Sequence, residues 1–191
     1  MKLGNSAVLL IVLAVGAQGA SAGSVKGKVT PGKSVVYLES ASGTVTPVAD
    51  KKATMDQKGL LFQPHVLVVQ AGTTVEFLNS DKVQHNVFWP SISGDKKKGH
   101  NMGTWPQGEQ RPFKFAEPGV VSLLCNVHPE MAGYIIVSPT PHFAETGADG
   151  AYTLANVPDG DYTLTAWHEG KKIQSKKITV KGDTTADVTL Q

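Results

Sequence analysis

The sequence predicts an all-β protein. Beyond the first 22 residues helical periodicity is almost absent, whereas short runs of β-branched and aromatic residues recur between glycines and prolines. Two Asp-Gly pairs, Asp149-Gly150 and Asp159-Gly160, stand between alternating β-forming residues, which is a pattern typical of hairpin turns. With 191 residues, 40% of them hydrophobic and 18% charged, the chain is long enough for one or two globular domains.

Residues 1–22 are predicted to be a cleavable secretory signal. Lys2 gives a positive start, an apolar stretch runs from Ala7 to Ala17, and Ala20-Ser21-Ala22 is a small-residue cleavage site before Gly23. A membrane anchor is the alternative interpretation, but this stretch is too short to span a bilayer comfortably, and no second apolar segment follows. We therefore expect a periplasmic or secreted protein that has no membrane span after signal cleavage.

The middle of the chain contains six candidate strands. Their spacing, with glycines between them, suits a Greek-key sandwich or barrel. They are residues 65–69, 74–78, 83–88, 113–115, 120–125 and 134–137.

A second group of strands begins after Ser138-Pro139. The candidates are residues 151–154, 162–167, 176–180 and 186–190. So short a piece buries too little apolar surface to fold alone. We therefore expect the β-rich runs at 25–29 and 34–39 to form strands of the same sandwich. The expected organisation is a central domain at residues 49–138, inserted into a second sandwich formed by residues 23–48 and 139–191.

This second group resembles the carboxypeptidase-regulatory-like, or transthyretin-like, β-sandwich. Such a sandwich has an early Gly-x-Val strand, followed by Asp-Gly-x-Tyr and Pro-x-Gly-x-Tyr segments. The matching residues are Gly27-Lys28-Val29, Asp149-Gly150-Ala151-Tyr152 and Pro158-Asp159-Gly160-Asp161-Tyr162. The resemblance implies a small β-sandwich and does not indicate what it binds.

A lone cysteine opens a short run of potential metal ligands. Cys125, His128 and Met131 follow one another at three-residue spacing. One cysteine cannot form an internal disulfide, the commonest reason for cysteine in an exported protein. A thiolate, an imidazole and a thioether on one loop suit copper, whereas zinc has no need of the thioether. A cysteine nucleophile would need a base and an oxyanion site, and only His128 is at hand.

A fourth ligand is predicted at His85, forty residues upstream of Cys125, at the end of a β-run and beside a turn. Two histidines, one cysteine and one weak axial methionine form a blue-copper ligand set.

The remaining histidines receive other interpretations. His65 is expected to be structural, and His142 and His168 to be surface or packing residues. His100 and Met102 form either a weak second copper site or part of a solvated loop.

Residues 50–143 resemble a cupredoxin, and the short Cys-x-x-His-x-x-Met loop is similar to that of amicyanin-type members. The closer match is to cupredoxin-domain proteins often labelled methylamine-utilisation proteins. The shared motifs are Met55-Asp56-Gln57, His85-Asn86-Val87, Cys125 to Met131 and Thr140-Pro141-His142-Phe143. The resemblance implies a cupredoxin Greek-key β-sandwich with one type 1 copper bound by His85, Cys125, His128 and Met131. It also implies that Asn79 and Asn86 shape the ligand loop.

The expected function is one-electron transfer between exported redox partners that dock transiently near His128. Pro129, Ala132 and either Trp89 or Trp105 are expected to form an apolar contact patch. The alternative is a module that stores, delivers or senses copper without fast redox turnover. A copper enzyme is disfavoured because the six histidines leave too few ligands for a second, catalytic centre.

The charge of the chain gives no reason to expect nucleic-acid binding, since the sequence has 18 basic and 16 acidic residues. Lys96-Lys97-Lys98 is the one basic cluster in the sequence. It either steers an acidic partner or solvates a loop.

Overall fold

The computed structural model describes residues 22–191, which form strands and loops with a single 3₁₀ turn at Lys96–Lys98. The predicted signal segment lies outside the described residues except for Ala22, and no helix in residues 22–191 has the length and apolar character needed to span a membrane. In chain order the strands are β1 Ala22–Thr30, β2 Val35–Ser40, β3 Lys52–Gln57, β4 Phe62–Gln63, β5 Val66–Gln70, β6 Thr73–Asn79, β7 His85–Trp89, β8 His100–Trp105, β9 Gln110–Phe115, β10 Gly119–Leu124, β11 Ala132–Ser138, β12 Phe143–Glu145, β13 Ala151–Pro158, β14 Gly160–Trp167, β15 Gln174–Val180, β16 Thr184–Thr185 and β17 Val188–Thr189.

The central sandwich consists of the nine consecutive strands β3 to β11. One sheet has the order β5-β11-β10-β7-β8 and the other β4-β3-β6-β9. Strand β6 alternates as a half-buried strand should, since every second residue from Thr73 to Asn79 is buried. The largest buried side chains between the sheets are Met55, Phe62, Phe77, Trp89, Trp105, Phe115, Leu123, Met131 and Ile135.

The outer sandwich consists of β1, β2 and β12 to β17. Strand β1 pairs with β13 on one side and with β16 and β17 on the other, while β2 lies between β12 and β14. Leu38 lies opposite Leu164 in the β2–β14 register, and both side chains are buried in the core of this sandwich. Strands from both ends of the described chain therefore build one structure.

The two Asp-Gly pairs do not close hairpins, and this part of the sequence prediction is wrong. Asp149-Gly150 connects β12 to β13, and Asp159-Gly160 connects β13 to β14, but β13 lies in a different sheet from both neighbours. The side chains of Tyr152 and Leu154 on β13 are buried in the same core as Leu164 on β14, so the two strands pack in one core without pairing in one sheet. Gly150 still needs its turn conformation, with φ +75 and a Cβ position only 2.0 Å from the Val29 carbonyl oxygen.

The strand that carries His85 begins later than predicted. Residues 83 and 84 lie in a loop, and His85 is the first residue of β7 rather than the end of a β-run. Asn79 holds this loop, because its side-chain amide donates to the Val83 carbonyl and its side-chain oxygen accepts from the Asp81 N–H. Strands β3 and β8 were not predicted at all, since both are polar and β8 contains Gly103 at a bulge opposite β7.

The two sandwiches pack face to face through an apolar junction. Val35, Tyr37 and Trp167 of the outer sandwich are buried against Ile136 of the central one, with partly buried side chains around them. In the five-stranded sheet of the central sandwich, β5 and β11 are therefore covered on both faces. That coverage explains why β5 and β11 are nearly continuous apolar runs and do not alternate.

Candidate metal centre

Three of the predicted ligands meet at one end of the central sandwich. His85 opens β7, Cys125 directly follows β10, and His128 lies in the loop that leads to β11. Strands β7 and β10 are neighbours, with Phe88 opposite Leu124. The sheet therefore brings together residues that are forty positions apart in the sequence.

The potential ligand atoms of these residues form a compact group. The Nδ1 atoms of His85 and His128 are 3.0 Å apart, and the Cys125 sulfur lies 4.0 Å from Nδ1 of His128. All three ligand atoms lie within 4.8 Å of one another. In the described part of the chain this is the one group of three or more His, Cys, Asp or Glu side chains arranged to hold a metal ion. Two imidazoles and a thiolate fit copper.

Burial of the group is uneven. His85 is 0% exposed and Cys125 is 3% exposed, whereas His128 is only partly buried. The thiol is free of any disulfide. Of the three side chains, His128 is thus the one that offers a route to the protein surface.

Met131 closes the ligand loop. Its side chain is fully buried in the same apolar core as Cys125, and its backbone N–H donates to the His128 carbonyl at 3.0 Å. The residue stands immediately before β11. Its role as a metal ligand remains a prediction.

The carboxylate of Asp81 fixes the orientation of the His85 ring. Its Oδ2 lies 2.9 Å from Nε2 of His85, and the carboxylate also accepts the backbone N–H groups of Gly59 and Leu60. Burial alone would raise the pKa of Asp81, but the bonds from Leu60, Gly59 and His85 outweigh it and lower the pKa below its usual value. Because an ionised carboxylate only accepts, Nε2 of His85 carries the proton and Nδ1 is left free for a metal.

Asn86 connects the strand of the first histidine to the ligand loop. Its backbone N–H donates to the Cys125 sulfur at 3.4 Å, and its side-chain oxygen accepts the Asn126 N–H at 3.3 Å. Its side-chain amide donates to Asn101 and to Gly103 on β8. Donors to a thiolate tune its electronic properties, so Asn86 contributes to the site as well as to the fold.

Sequence reasoning missed Asp81, although an Asp four residues before a ligand histidine is a visible signal. Asn79 takes a different part from the one implied by the resemblance. Its amide donates to the carbonyls of Val83 and Trp105, so it shapes the loop before His85 and makes no hydrogen bond to the loop from Cys125 to Met131.

The other histidines lie apart from this group. His65 pairs with Glu169 at 2.7 Å, and His100 lies on strand β8, where its ring packs against Trp89 and Phe113. His100 is therefore not part of a loop, which corrects one of the two sequence interpretations. Partial burial lowers the pKa of His142, as for a packing residue.

Neither predicted tryptophan reaches the surface. Trp89 is 1% exposed and Trp105 is 0% exposed, so the expectation that one of them joins a contact patch is wrong. Four aliphatic side chains are exposed instead, on the loops that adjoin the three-ligand group. This apolar rim comprises Leu60 at 40%, Leu61 at 53%, Val83 at 45% and Val127 at 47% exposure.

Two family models match the chain. Residues 49–138 match the copper binding proteins of the plastocyanin/azurin family, and residues 134–191 match the carboxypeptidase regulatory-like domain. The chain therefore contains a plastocyanin/azurin-family copper-binding domain together with a carboxypeptidase regulatory-like domain. The predicted fold class, an all-β chain with a cupredoxin sandwich and a smaller transthyretin-like sandwich, is confirmed.

Solved structures similar to this chain include three forms of amicyanin. They are the reduced state of a tryptophan-to-tyrosine mutant, the oxidized state of a proline-to-alanine mutant and the Cu(I) form of a methionine-to-glutamine mutant. Sequence identity is 22% for the first two and 21% for the third. Each match covers 56% of this chain and 99% of the amicyanin chain, with a TM-score of 0.43.

Proposed function

We propose that this protein binds one type 1 copper ion through His85, Cys125, His128 and Met131, and that it carries single electrons between redox partners without transforming a substrate. The observation that supports the proposal most strongly is the meeting of two histidine Nδ1 atoms and one cysteine sulfur within 4.8 Å. The copper-binding family of residues 49–138 supports copper as the metal. When bound, copper would supply a one-electron couple.

The protein holds its donor atoms in ways that favour fast electron transfer over storage. Asp81 fixes the orientation of His85, and the backbone of Asn86 donates to the cysteine sulfur. Ligands that are fixed by the protein rearrange little when the oxidation state changes. A storage or delivery module, the alternative function, has no need of such fixed ligands.

The surface around His128 suits a transient partner. His128 is partly exposed, and the apolar rim of Leu60, Leu61, Val83 and Val127 adjoins the same loops. Redox encounters use small interfaces, and a limited apolar surface of this kind is appropriate for them. We infer that partners dock on the rim and that the electron passes through the His128 ring.

Steering by the lysine cluster receives no support from its position. Strands β7 and β8 run antiparallel with His85 opposite Trp105, so the turn at Lys96–Lys98 joins them at the far end, about 13 Å along β7 from His85. Lys98 is also paired with Glu117 and Asp95. These lysines are better interpreted as a solvated turn.

A spectrum of the copper-loaded protein tests the proposal. We expect strong thiolate-to-copper absorption and a type 1 paramagnetic-resonance signal, both lost in Cys125→Ser, together with fast and reversible redox cycling. A weak tetragonal spectrum that is the same in the wild type and in Cys125→Ser would refute the copper site. Intense absorption with slow or irreversible cycling would instead favour storage.

We also infer the domain organisation and the export of the chain. The pairing of β1 and β2 with strands beyond residue 142 supports a second sandwich formed by residues 23–48 and 139–191, with residues 49–138 inserted. The sequence pattern of residues 1–22 supports export to the periplasm or beyond. Mass measurement of the exported product tests the second inference, since cleavage should leave Gly23 as its first residue.

A further inference from the structure

The outer sandwich contributes one carboxylate to the surface of the central sandwich. Glu169 follows β14, and both of its oxygens receive donors from the other sandwich. Its Oε2 lies 2.7 Å from Nε2 of His65, and its Oε1 accepts the hydroxyl of Tyr134 at 3.0 Å. The hydrogen bond from His65, helped by the one from Tyr134, lowers the pKa of Glu169 against the opposing effect of its burial.

The two donors are themselves joined. The backbone N–H of Tyr134 donates to the His65 carbonyl at 2.8 Å, and the two rings meet edge to face at 5.6 Å. The centroid of the Tyr134 ring also lies 4.9 Å from that of Trp167, which stands only two residues before Glu169. A single half-exposed ion pair would contribute little, but here hydrogen bonds and aromatic packing act on the same residues.

This cluster lies close to the end of the ligand loop. Tyr134 stands three residues after Met131 at the start of β11, a length of chain that spans at most about 10 Å. Gly133, between them, is fully packed, because a Cβ there would lie 2.8 Å from Cβ of Phe62 and 3.3 Å from the His65 carbonyl oxygen. The backbone between Tyr134 and Met131 therefore has little freedom to adjust, and a movement of Tyr134 is passed on to Met131.

We propose that Glu169 is a positioning residue for the ligand loop: by holding Tyr134 and His65, it fixes the position of the first residues of β11 and so where Met131 lies. The outer sandwich thereby influences the proposed copper site of the central sandwich. The statement about the loop concerns the protein alone, whereas its consequence for copper rests on the proposed function. If Met131 binds copper as proposed, a change in its position would change the reduction potential, because the identity and placement of that ligand tune it.

The same cleft supplies a matched control. Glu145 and Glu169 both line an opening of about 450 Å³ between the sandwiches. Burial is the one cause that raises the pKa of Glu145, with no hydrogen bond or neighbouring charge contributing. Glu145→Gln therefore changes a carboxylate of the same cleft that does not hold the central sandwich.

The first test uses the metal-free protein and amide hydrogen exchange at residues 125–131. We expect exchange to be about threefold or more faster in Glu169→Ala and Tyr134→Phe than in the wild type, and unchanged in Glu145→Gln. Changes confined to the neighbourhood of residues 65 and 134, with the loop unaffected, would overturn the proposal. If Glu169→Ala misfolds, Tyr134→Phe still decides, because it keeps the ring against Trp167 and removes only the hydroxyl.

The second test uses the copper-loaded protein. We expect the reduction potential and the rhombicity of the paramagnetic-resonance signal to shift in Glu169→Ala and to match the wild type in Glu145→Gln. Equal values in all three proteins would contradict a role for Glu169 at the metal. If the wild type itself shows no thiolate-to-copper absorption, the proposed function fails, and the exchange experiment on the metal-free chain still tests the positioning of the loop.

Discussion

Nε2 of His85 lies 2.9 Å from the carboxylate of Asp81, four residues earlier, and this contact determines which nitrogen of the imidazole faces Cys125. The same carboxylate holds the backbone of Gly59 and Leu60. One side chain thus connects the buried histidine to a loop of the apolar rim.

Replacing Asp81 should weaken metal binding. We expect Asp81→Ala to lower copper affinity by about 10- to 100-fold, because Nε2 of His85 loses the partner that fixes its tautomer and ring orientation. Asp81→Asn, which keeps an acceptor oxygen, should lose less. Competition titration with a copper chelator measures the difference, and Asp95→Ala, at the far end of β7, serves as control. Equal affinities for Asp81→Ala and the wild type would contradict this role.

The apolar rim should govern electron transfer without changing the site. We expect Val127→Ser and Leu61→Ser to slow the electron self-exchange of the copper protein by about tenfold, because contact at the rim brings two His128 rings together. The absorption spectrum should stay unchanged. Nuclear magnetic resonance line broadening in mixtures of the two oxidation states measures the rate.

Ile173 provides the control for that experiment. It is 48% exposed, nearly the same as Val127 at 47%, but lies in the outer sandwich. Ile173→Ser should leave self-exchange unaffected. If it slows exchange as much as the rim variants do, docking does not depend on the rim.

The junction should make the two sandwiches unfold together. Ile136 is 0% exposed and packs among Val35, Tyr37 and Trp167. We expect Ile136→Ala to lower the free energy of unfolding by about 2–5 kcal/mol, the usual range for this deletion in a core. Urea unfolding followed by tryptophan fluorescence and by circular dichroism should give coincident transitions in both proteins. Separate transitions for the two sandwiches would contradict the prediction.

Acid should weaken the attachment of β1. The Asp183 carboxylate accepts the hydroxyl and the backbone N–H of Ser24, and these bonds, with the nearby Lys26, lower the pKa of Asp183 below its usual 3.8. A carboxyl whose pKa is lower in the folded state stabilises the fold above its unfolded pKa, and the contribution is lost as the pH falls through the folded value. The wild type should therefore exceed Asp183→Asn in stability at pH 6, and the gap should close in more acidic solution. Urea midpoints across this range test the prediction, and a gap that is independent of pH would refute it.

The ligand loop was readable from the sequence because its chemistry is local. Cys125, His128 and Met131 share one short run, and the strand residues around them alternate or cluster in recognisable ways. His85 was found as well, although its place at the start of a strand depends on Asn79, whose bonds to the preceding loop no pattern of hydrophobicity records.

The sequence associated residues 25–29 and 34–39 with the C-terminal group of strands, but it did not provide the individual strand pairings. The Asp-Gly pairs have hairpin chemistry, yet β13 pairs with β1, and Tyr152 and Leu154 are buried in the same core as Leu164 of β14. The contact of Glu169 with Tyr134 joins residues 35 positions apart in different sandwiches. Such contacts follow from the stacking of sheets and leave no local signal.

The pairing of β1 with the last strands also has a consequence for the order of folding. Strand β1 pairs mainly with β13, and its hydrogen bond from Ser24 to Asp183 spans 159 positions, so β1 has no strand partner until β13 has been made. The contacts of the central sandwich are closer in sequence and can form before β1 and β2 have strand partners. During that interval the backbone edges of β1 and β2 are unpaired, so the newly made chain is most prone to associate with other chains before β13 and β14 are available.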